Sequence, residues 1–146
     1  MTAVQLNPYL QFQDQARDAM VFYRDVFGGE LTMQTYAEGG MSAHPSNDDR
    51  IMHSQLVTPH GLVLMGGDVP DGVPYQPGSA ISVSLSGDDE PALRGCFEGL
   101  ADGGTVIEPL NTAPWGDVFG ACVDRFGTSW MVNISPATAA NLTPEG

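Results

Sequence analysis

The sequence predicts an α+β fold in which one β-α-β-β-β unit occurs twice. Three observations lead there. Two stretches of helical periodicity, each closed by a Gly-Gly pair, are each preceded by one alternating strand and followed by three more. The copies also stand in numerical register. Leu10 and Leu85, Phe22 and Phe97, and Gly28 and Gly103 are all 75 positions apart, while Gly61-Leu62-Val63-Leu64-Met65 matches Gly127-Thr128-Ser129-Trp130-Met131 at an offset of 66. The offset changes because the loops of the two copies differ in length. The third observation is a β-hairpin within residues 115–134. Its runs 118–123 and 129–134 are β-branched, aromatic and apolar, and Asp124-Arg125-Phe126-Gly127 between them is a turn. Trp130, Val132 and Ile134 share one face of the second run, a core face. Ser129, Met131 and Asn133 share the other, a mixed one.

The first unit opens with a strand at 6–12, with Leu6, Pro8, Leu10 and Phe12 on one face and Asn7, Tyr9 and Gln11 on the other. Asp14 is placed to cap a helix in which Ala16, Ala19, Met20, Tyr23, Val26 and Phe27 recur at helical spacing, ended by Gly28-Gly29. Strands follow at 31–36, 51–57 and 62–65, the last two joined by Thr58-Pro59-His60-Gly61. Loops rich in Gly and Pro are expected at 37–50 and 66–79, long enough to act as lids or dimer arms. In the second unit, residues 80–86 alternate Ile81, Val83 and Leu85 with Ser82, Ser84 and Ser86. Asp88 or Asp89 caps a helix with an apolar stripe of Leu93, Cys96, Phe97, Leu100 and Ala101, and Gly103-Gly104 stops it. Val106 and Ile107 sit in a short strand before the hairpin. Module one is thus expected at about 4–67, a linker loop at about 66–79 and module two at about 80–135, within one domain spanning 1–146. The small, polar tail at 136–146 is expected to be flexible.

A chain of 146 residues buries roughly 70% of its unfolded surface as one domain. Its net charge is −13, with five arginines and no lysine, so no basic patch forms and nucleic acid or an anionic membrane surface is disfavoured as partner. No apolar run is long enough to span a membrane, and the N-terminus lacks a basic-then-apolar leader pattern. Cys96 and Cys122 lie in apolar patterns without C-x-x-C spacing, which reads as buried thiols in a reducing cytoplasm.

Several stretches carry a resemblance: Asn7-Pro8-Tyr9-Leu10, Phe22-Tyr23, Phe27-Gly28-Gly29-Glu30-Leu31, Ile51-Met52-His53-Ser54-Gln55-Leu56, Leu64-Met65-Gly66-Gly67-Asp68, Trp115-Gly116-Asp117 and Asp124-Arg125-Phe126-Gly127-Thr128-Ser129-Trp130. With the doubled unit, they resemble the vicinal oxygen chelate superfamily of glyoxalase I, extradiol dioxygenases and bleomycin-resistance proteins, and within it the PhnB-like branch. The match runs from about Leu6 to Ile134. It implies two modules whose strands form a curled mixed sheet around a cavity, with helices outside, and it implies a homodimer. In metal-dependent members four ligands, usually His, Glu or Gln, come from equivalent strands of the two modules. Carried over, those positions are Asn7, Met65, Ser82 and Met131. Amide, hydroxyl and thioether groups make a poor set for a hard divalent ion, so neither a metal nor another cofactor is expected.

In such a cavity the polar faces present Asn7, Tyr9, Gln11, Ser82, Ser84, Ser86, Ser129 and Asn133, with Met65 and Met131 as an adaptable floor. His53 lies mid-strand with Gln55 on its face. PhnB-like relatives commonly carry Glu at that second position, and Gln removes a carboxylate able to orient the imidazole. His53 reads either as a hydrogen-bonded strand residue or as a ligand contact. His44 and His60 fall in loop and turn, where solvation suffices. Asp117 and Asp124 both sit where turn carboxylates bond backbone N–H groups; Asp124 is expected to be structural, whereas Asp117 borders the mouth of the cavity. Trp115 either stacks on a ligand or plugs the edge of the core. The candidate ligand-binding set is Asn7, Tyr9, His53, Gln55, Met65, Ser82, Ser84, Trp115 and Met131, and the candidate acid/base groups are His53 and Asp117. Three functions compete. One is a small-molecule binding protein with a polar, metal-poor cavity. Another is a superfamily enzyme using His53 and Asp117 or an unusual metal set. The last is a drug-sequestering protein whose acidic surface draws in a cationic compound.

Overall fold

The structure is a computed structural model and describes residues 4–135. The tail expected at 136–146 lies outside them. The elements are β1 (Tyr9–Phe12), α1 (Ala16–Phe27), β2 (Glu30–Thr35), β3 (Ile51–Val57) and β4 (Val63–Asp68), then β5 (Val83–Gly87), α2 (Glu90–Ala101), β6 (Thr105–Thr112), β7 (Val118–Val123) and β8 (Ser129–Ile134). A 3-10 turn at Pro45–Asn47 interrupts the loop after β2. The fold is α+β with the β-α-β-β-β unit repeated, and the chain divides into compact units Met1–Pro77 and Gly78–Gly146. Each unit forms its own four-stranded mixed sheet, in the orders β1-β4-β3-β2 and β5-β8-β7-β6. The two parallel pairings agree with the offsets read from sequence: Tyr9 stands opposite Met65, and Ser84 opposite Met131.

Each sheet has a helix face and an open face. In module one, α1 buries Ala16, Ala19, Met20 and Tyr23 at helical spacing, and complete burial of a residue such as Met20 contributes about 1.5–3 kcal/mol. The strands answer with Phe12, Ile51, Leu56 and Leu64. Small residues let the helix sit close. Ser54 is fully buried and donates its hydroxyl to the Gly66 carbonyl at 2.7 Å, and a Cβ on Gly66 would stand 3.2 Å from the Met20 sulfur. Module two repeats this with Gly120, where a Cβ would come within 3.0 Å of Phe97 on α2, over a core of Leu100, Cys122, Trp130, Val132 and Ile134.

The Gly-Gly pairs do two jobs. Gly28 and Gly103 take φ of 76° and 78° to turn the chain after each helix. Gly29 and Gly104 make room for a strand, since a Cβ there would collide with the Val57 and Val123 carbonyl oxygens respectively.

Several boundaries differ from the sequence expectation. The cap of α1 is not Asp14, which takes φ 61° ahead of Gln15. It is Asp68, whose Oδ1 accepts from the backbone N–H groups of Gln15 and Ala16, both at 2.9 Å, while Oδ2 accepts from Ile51 at 2.9 Å. That carboxylate arrives because β4 continues through Gly66-Gly67-Asp68, which the sequence places in a loop. Asp89 does cap α2, accepting from the Ala92 N–H at 3.2 Å. β1 and β5 start later than expected, leaving Leu6 and Ile81 exposed ahead of them. β6 is longer than expected and carries Pro109, tolerated because this strand lies at the sheet edge. No helix among the described residues is long and apolar enough to cross a membrane.

Candidate functional site

The open face of module one is fixed by register. Tyr9 pairs with Met65, Met65 with Gln55 and Gln55 with Thr32, so these four form a row opposite Leu10, Gly66, Ser54 and Met33. His53 projects beside that row. Here β3 bulges: Gln34 stands opposite His53 and Thr35 opposite Ile51, which leaves Met52 with no ladder partner in β2. The Tyr9 hydroxyl meets this irregularity and donates to the Met52 carbonyl at 3.2 Å. His53 Nδ1 lies 3.4 Å from the same hydroxyl oxygen, and the two rings stack with centroids 5.6 Å apart and planes 22° apart. Gly67 permits the arrangement, because a Cβ there would stand 2.6 Å from the Met52 oxygen and 2.8 Å from the Tyr9 hydroxyl.

Two further tyrosines border this face, and the sequence patterns did not single them out. Tyr36 donates to the Asp68 carbonyl at 2.7 Å, and Tyr75 donates to the Gln11 carbonyl at 3.2 Å. Burial raises all three phenol pKa values above 10.0. Tyr36 adds to the rise at Tyr9, Asp68 adds to it at Tyr36 and Tyr75, and Arg50 partly opposes it at Tyr36. All three remain neutral donors at physiological pH. Tyr36 extends a strand and Tyr75 sits in a Pro-rich loop, so neither residue has a periodic signal that would reveal its target.

Module two presents a different face. Ser84 and Ala121 flank Met131, and Ser86 and Phe119 flank Asn133. Asn133 is held at both ends of its amide. Its Nδ2 donates to Asp117 Oδ2 at 2.9 Å, and its Oδ1 accepts from Trp115 Nε1 at 3.4 Å. Ser135 Oγ also reaches Asp117, at 3.5 Å. Asp117 therefore orients side chains rather than bonding a turn. Asp124 is the structural carboxylate, accepting from the Phe126 and Thr128 N–H groups at 2.8 and 3.1 Å and from Trp130 Nε1 at 2.8 Å. Trp115 is 62% exposed and packs edge-on against Phe119.

Not every candidate joins these faces. Asn7 precedes β1 and donates to Gln5 Oε1 at 3.5 Å, and Ser82 precedes β5 and is exposed. Met65, Gln55 and Met131 are half-buried on the open faces, whereas Tyr9, His53 and Ser84 are exposed there. His44 and His60 are exposed in loop and turn. The candidate acid/base groups have separate partners, Tyr9 for His53 and Asn133 with Ser135 for Asp117. Among the described residues no group of three or more His, Cys, Asp or Glu is placed to hold a metal ion. The carried-over positions supply an amide, a hydroxyl and two thioethers. That donor set does not fit a hard divalent ion.

Comparison with known proteins agrees with this architecture. Residues 4–133 match the family model described as 3-demethylubiquinone-9 3-methyltransferase. The chain is 36% identical to PA1353 from Pseudomonas aeruginosa, whose crystal structure matches with a TM-score of 0.80 over 92% of this chain and 99% of that one. It is 25% identical to a PhnB protein from Bacillus cereus, with a TM-score of 0.69 over 90% of this chain and 100% of the other. Protein YjdN of Escherichia coli (strain K12) is 26% identical, in a match that covers 88% of this chain and 94% of YjdN. Solved members of the glyoxalase/bleomycin resistance protein/dioxygenase superfamily share the fold at 19% identity or less. With both modules spanned by the family match, the chain belongs to the PhnB-like, 3-demethylubiquinone-9 3-methyltransferase family.

Proposed function

We propose that the protein binds a small polar molecule through neutral hydrogen-bonding groups on its open sheet faces, without a divalent ion at the superfamily's ligand positions. The observation that carries this reading is the orientation of Asn133. Its amide is fixed by Asp117 on one side and Trp115 on the other, on a face it shares with Ser84, Ser86 and Met131. An amide with a spare N–H and a spare lone pair, already oriented, loses little entropy when a ligand arrives. The exposed Trp115 ring adds a surface for stacking. The family's description names a methyltransferase; binding of a small molecule is a step that such chemistry would also require. The test is mass spectrometry of what gently purified protein releases on denaturation. One compound in near-stoichiometric yield, absent from Asn133→Leu protein, is expected, and release of nothing would contradict the reading.

We propose further that the protein works in the cytoplasm as a homodimer. Both cysteines are free thiols, and edge strand β6 exposes Val106 and Ile107. Sedimentation at micromolar concentration is expected to give a species of about twice the 15.5 kDa chain mass. A 15.5 kDa species alone would rule the dimer out.

A further inference from the structure

We infer that Tyr9 holds His53 as its Nδ1–H tautomer, leaving Nε2 as a hydrogen-bond acceptor on the open face of module one, so that this face takes ligands presenting an O–H or N–H donor. The argument is proton counting. Tyr9 has one hydroxyl proton and two neighbours able to accept it, the Met52 carbonyl at 3.2 Å and His53 Nδ1 at 3.4 Å. The bulge deprives Met52 of a ladder partner in β2, and a carbonyl is a full acceptor that gains from being paired. With the phenol proton directed to Met52, the phenol oxygen can only accept from His53. The imidazole proton then belongs on Nδ1.

The surroundings fit an acceptor site. The cross-strand neighbour of His53 is Gln34 and its same-face neighbour is Gln55, and neither brings a carboxylate to the imidazole. The equivalents of Tyr9 and His53 in module two, by the offsets of 75 and 66, are Ser84 and Phe119. The assembly therefore belongs to module one alone, and the repeat does not explain it. Gly67 is its second requirement, since any side chain there would displace the phenol from the carbonyl. Tyr9 is a positioning residue in this account, acting through His53.

The ligand class rests on the small-molecule reading above, whereas the tautomer does not. The experiment is a long-range nitrogen-15 correlation spectrum of the imidazoles, recorded where the rings are neutral. Wild-type His53 is expected to carry its proton on Nδ1. Tyr9→Phe and Gly67→Ala should each move it toward Nε2, with the His44 and His60 signals unchanged as the check that the fold persists. A wild-type Nε2–H pattern, or no change in Tyr9→Phe, would overturn the tautomer. Phenol and anisole, which differ by the O–H donor, then test the ligand class. Phenol should perturb His53 Nε2 with an affinity about fivefold above that of anisole, the worth of one net hydrogen bond. Equal perturbation, or none by either probe, would overturn the ligand class while leaving the tautomer standing. Neither outcome bears on the Asn133-dependent compound, which mass spectrometry reads separately.

Discussion

Single atoms decide much of this molecule. Gly29 takes φ 105° and has no room for a Cβ beside the Val57 carbonyl, whereas Gly61 takes φ 80° in open space. Gly61→Ala is therefore expected to cost only the left-handed penalty of about 1 kcal/mol, and Gly29→Ala about 3 kcal/mol or more, because strand backbone must move. Urea midpoints of the two variants check this, and equal losses would mean the collision is relieved without cost. The Gly-Gly pairs were legible in sequence as helix stops. That their second members seat strands was not, because the carbonyls they accommodate lie in another strand. Likewise His53 and Gln55 were readable as face-sharing neighbours from period-two spacing. The Tyr9–His53 contact crosses 44 residues and depends on a bulge at Met52 that no local pattern announces.

At the scale of elements, alternation was reliable and termini were not. Val83 and Leu85 pair with buried Trp130 and Val132, while Ser84 and Ser86 pair with Met131 and Asn133, as the alternating pattern implies. The start of α1 departs from the sequence expectation because its cap comes from 52 residues away, at the end of a strand whose Gly-Gly-Asp has the composition of a loop. Capping thus assigns a stability role to Asp68 and none to Asp14. Asp68→Ala should lose about 3 kcal/mol, as three backbone donors go unsatisfied at a buried position. Asp14→Ala should cost no more than about 1 kcal/mol, the left-handed conformation at φ 61° being the one feature Ala meets less well than Asp. Thermal or urea unfolding distinguishes the two, and a reversed order would return the cap to Asp14. β6 was underestimated for a related reason. An edge strand with exposed Val106 and Ile107 and an internal Pro109 has no clean alternation to read.

Across the whole molecule, the pKa directions set a pH dependence. Burial raises Tyr9, Tyr36 and Tyr75 above 10.0, and Cys96 and Cys122 above 9.0. The folded chain therefore keeps protons that the unfolded chain releases. Stability is untouched by these groups below about pH 9 and falls as pH rises through their raised values. Tyr36→Phe should flatten that decline, as measured by urea unfolding across the alkaline range; a decline unchanged in slope would remove Tyr36 from it. The doubled architecture was legible from two numerical offsets. What differs between the copies was less so: the stacked phenol and imidazole occur in one, where side chains of strands β1 and β3 meet, and the clamped amide in the other, where the turn before β7 meets β8.

The claim on which the functional account turns is metal-independent binding of a small molecule. Native mass spectrometry of gently purified protein, before and after dialysis against EDTA, with Asn133→Leu in parallel, tests it most directly. The account predicts a small-molecule adduct on the 15.5 kDa chain that survives the chelator and is missing from the variant. An adduct that leaves with a stoichiometric divalent ion, and returns only when that ion is restored, would contradict it.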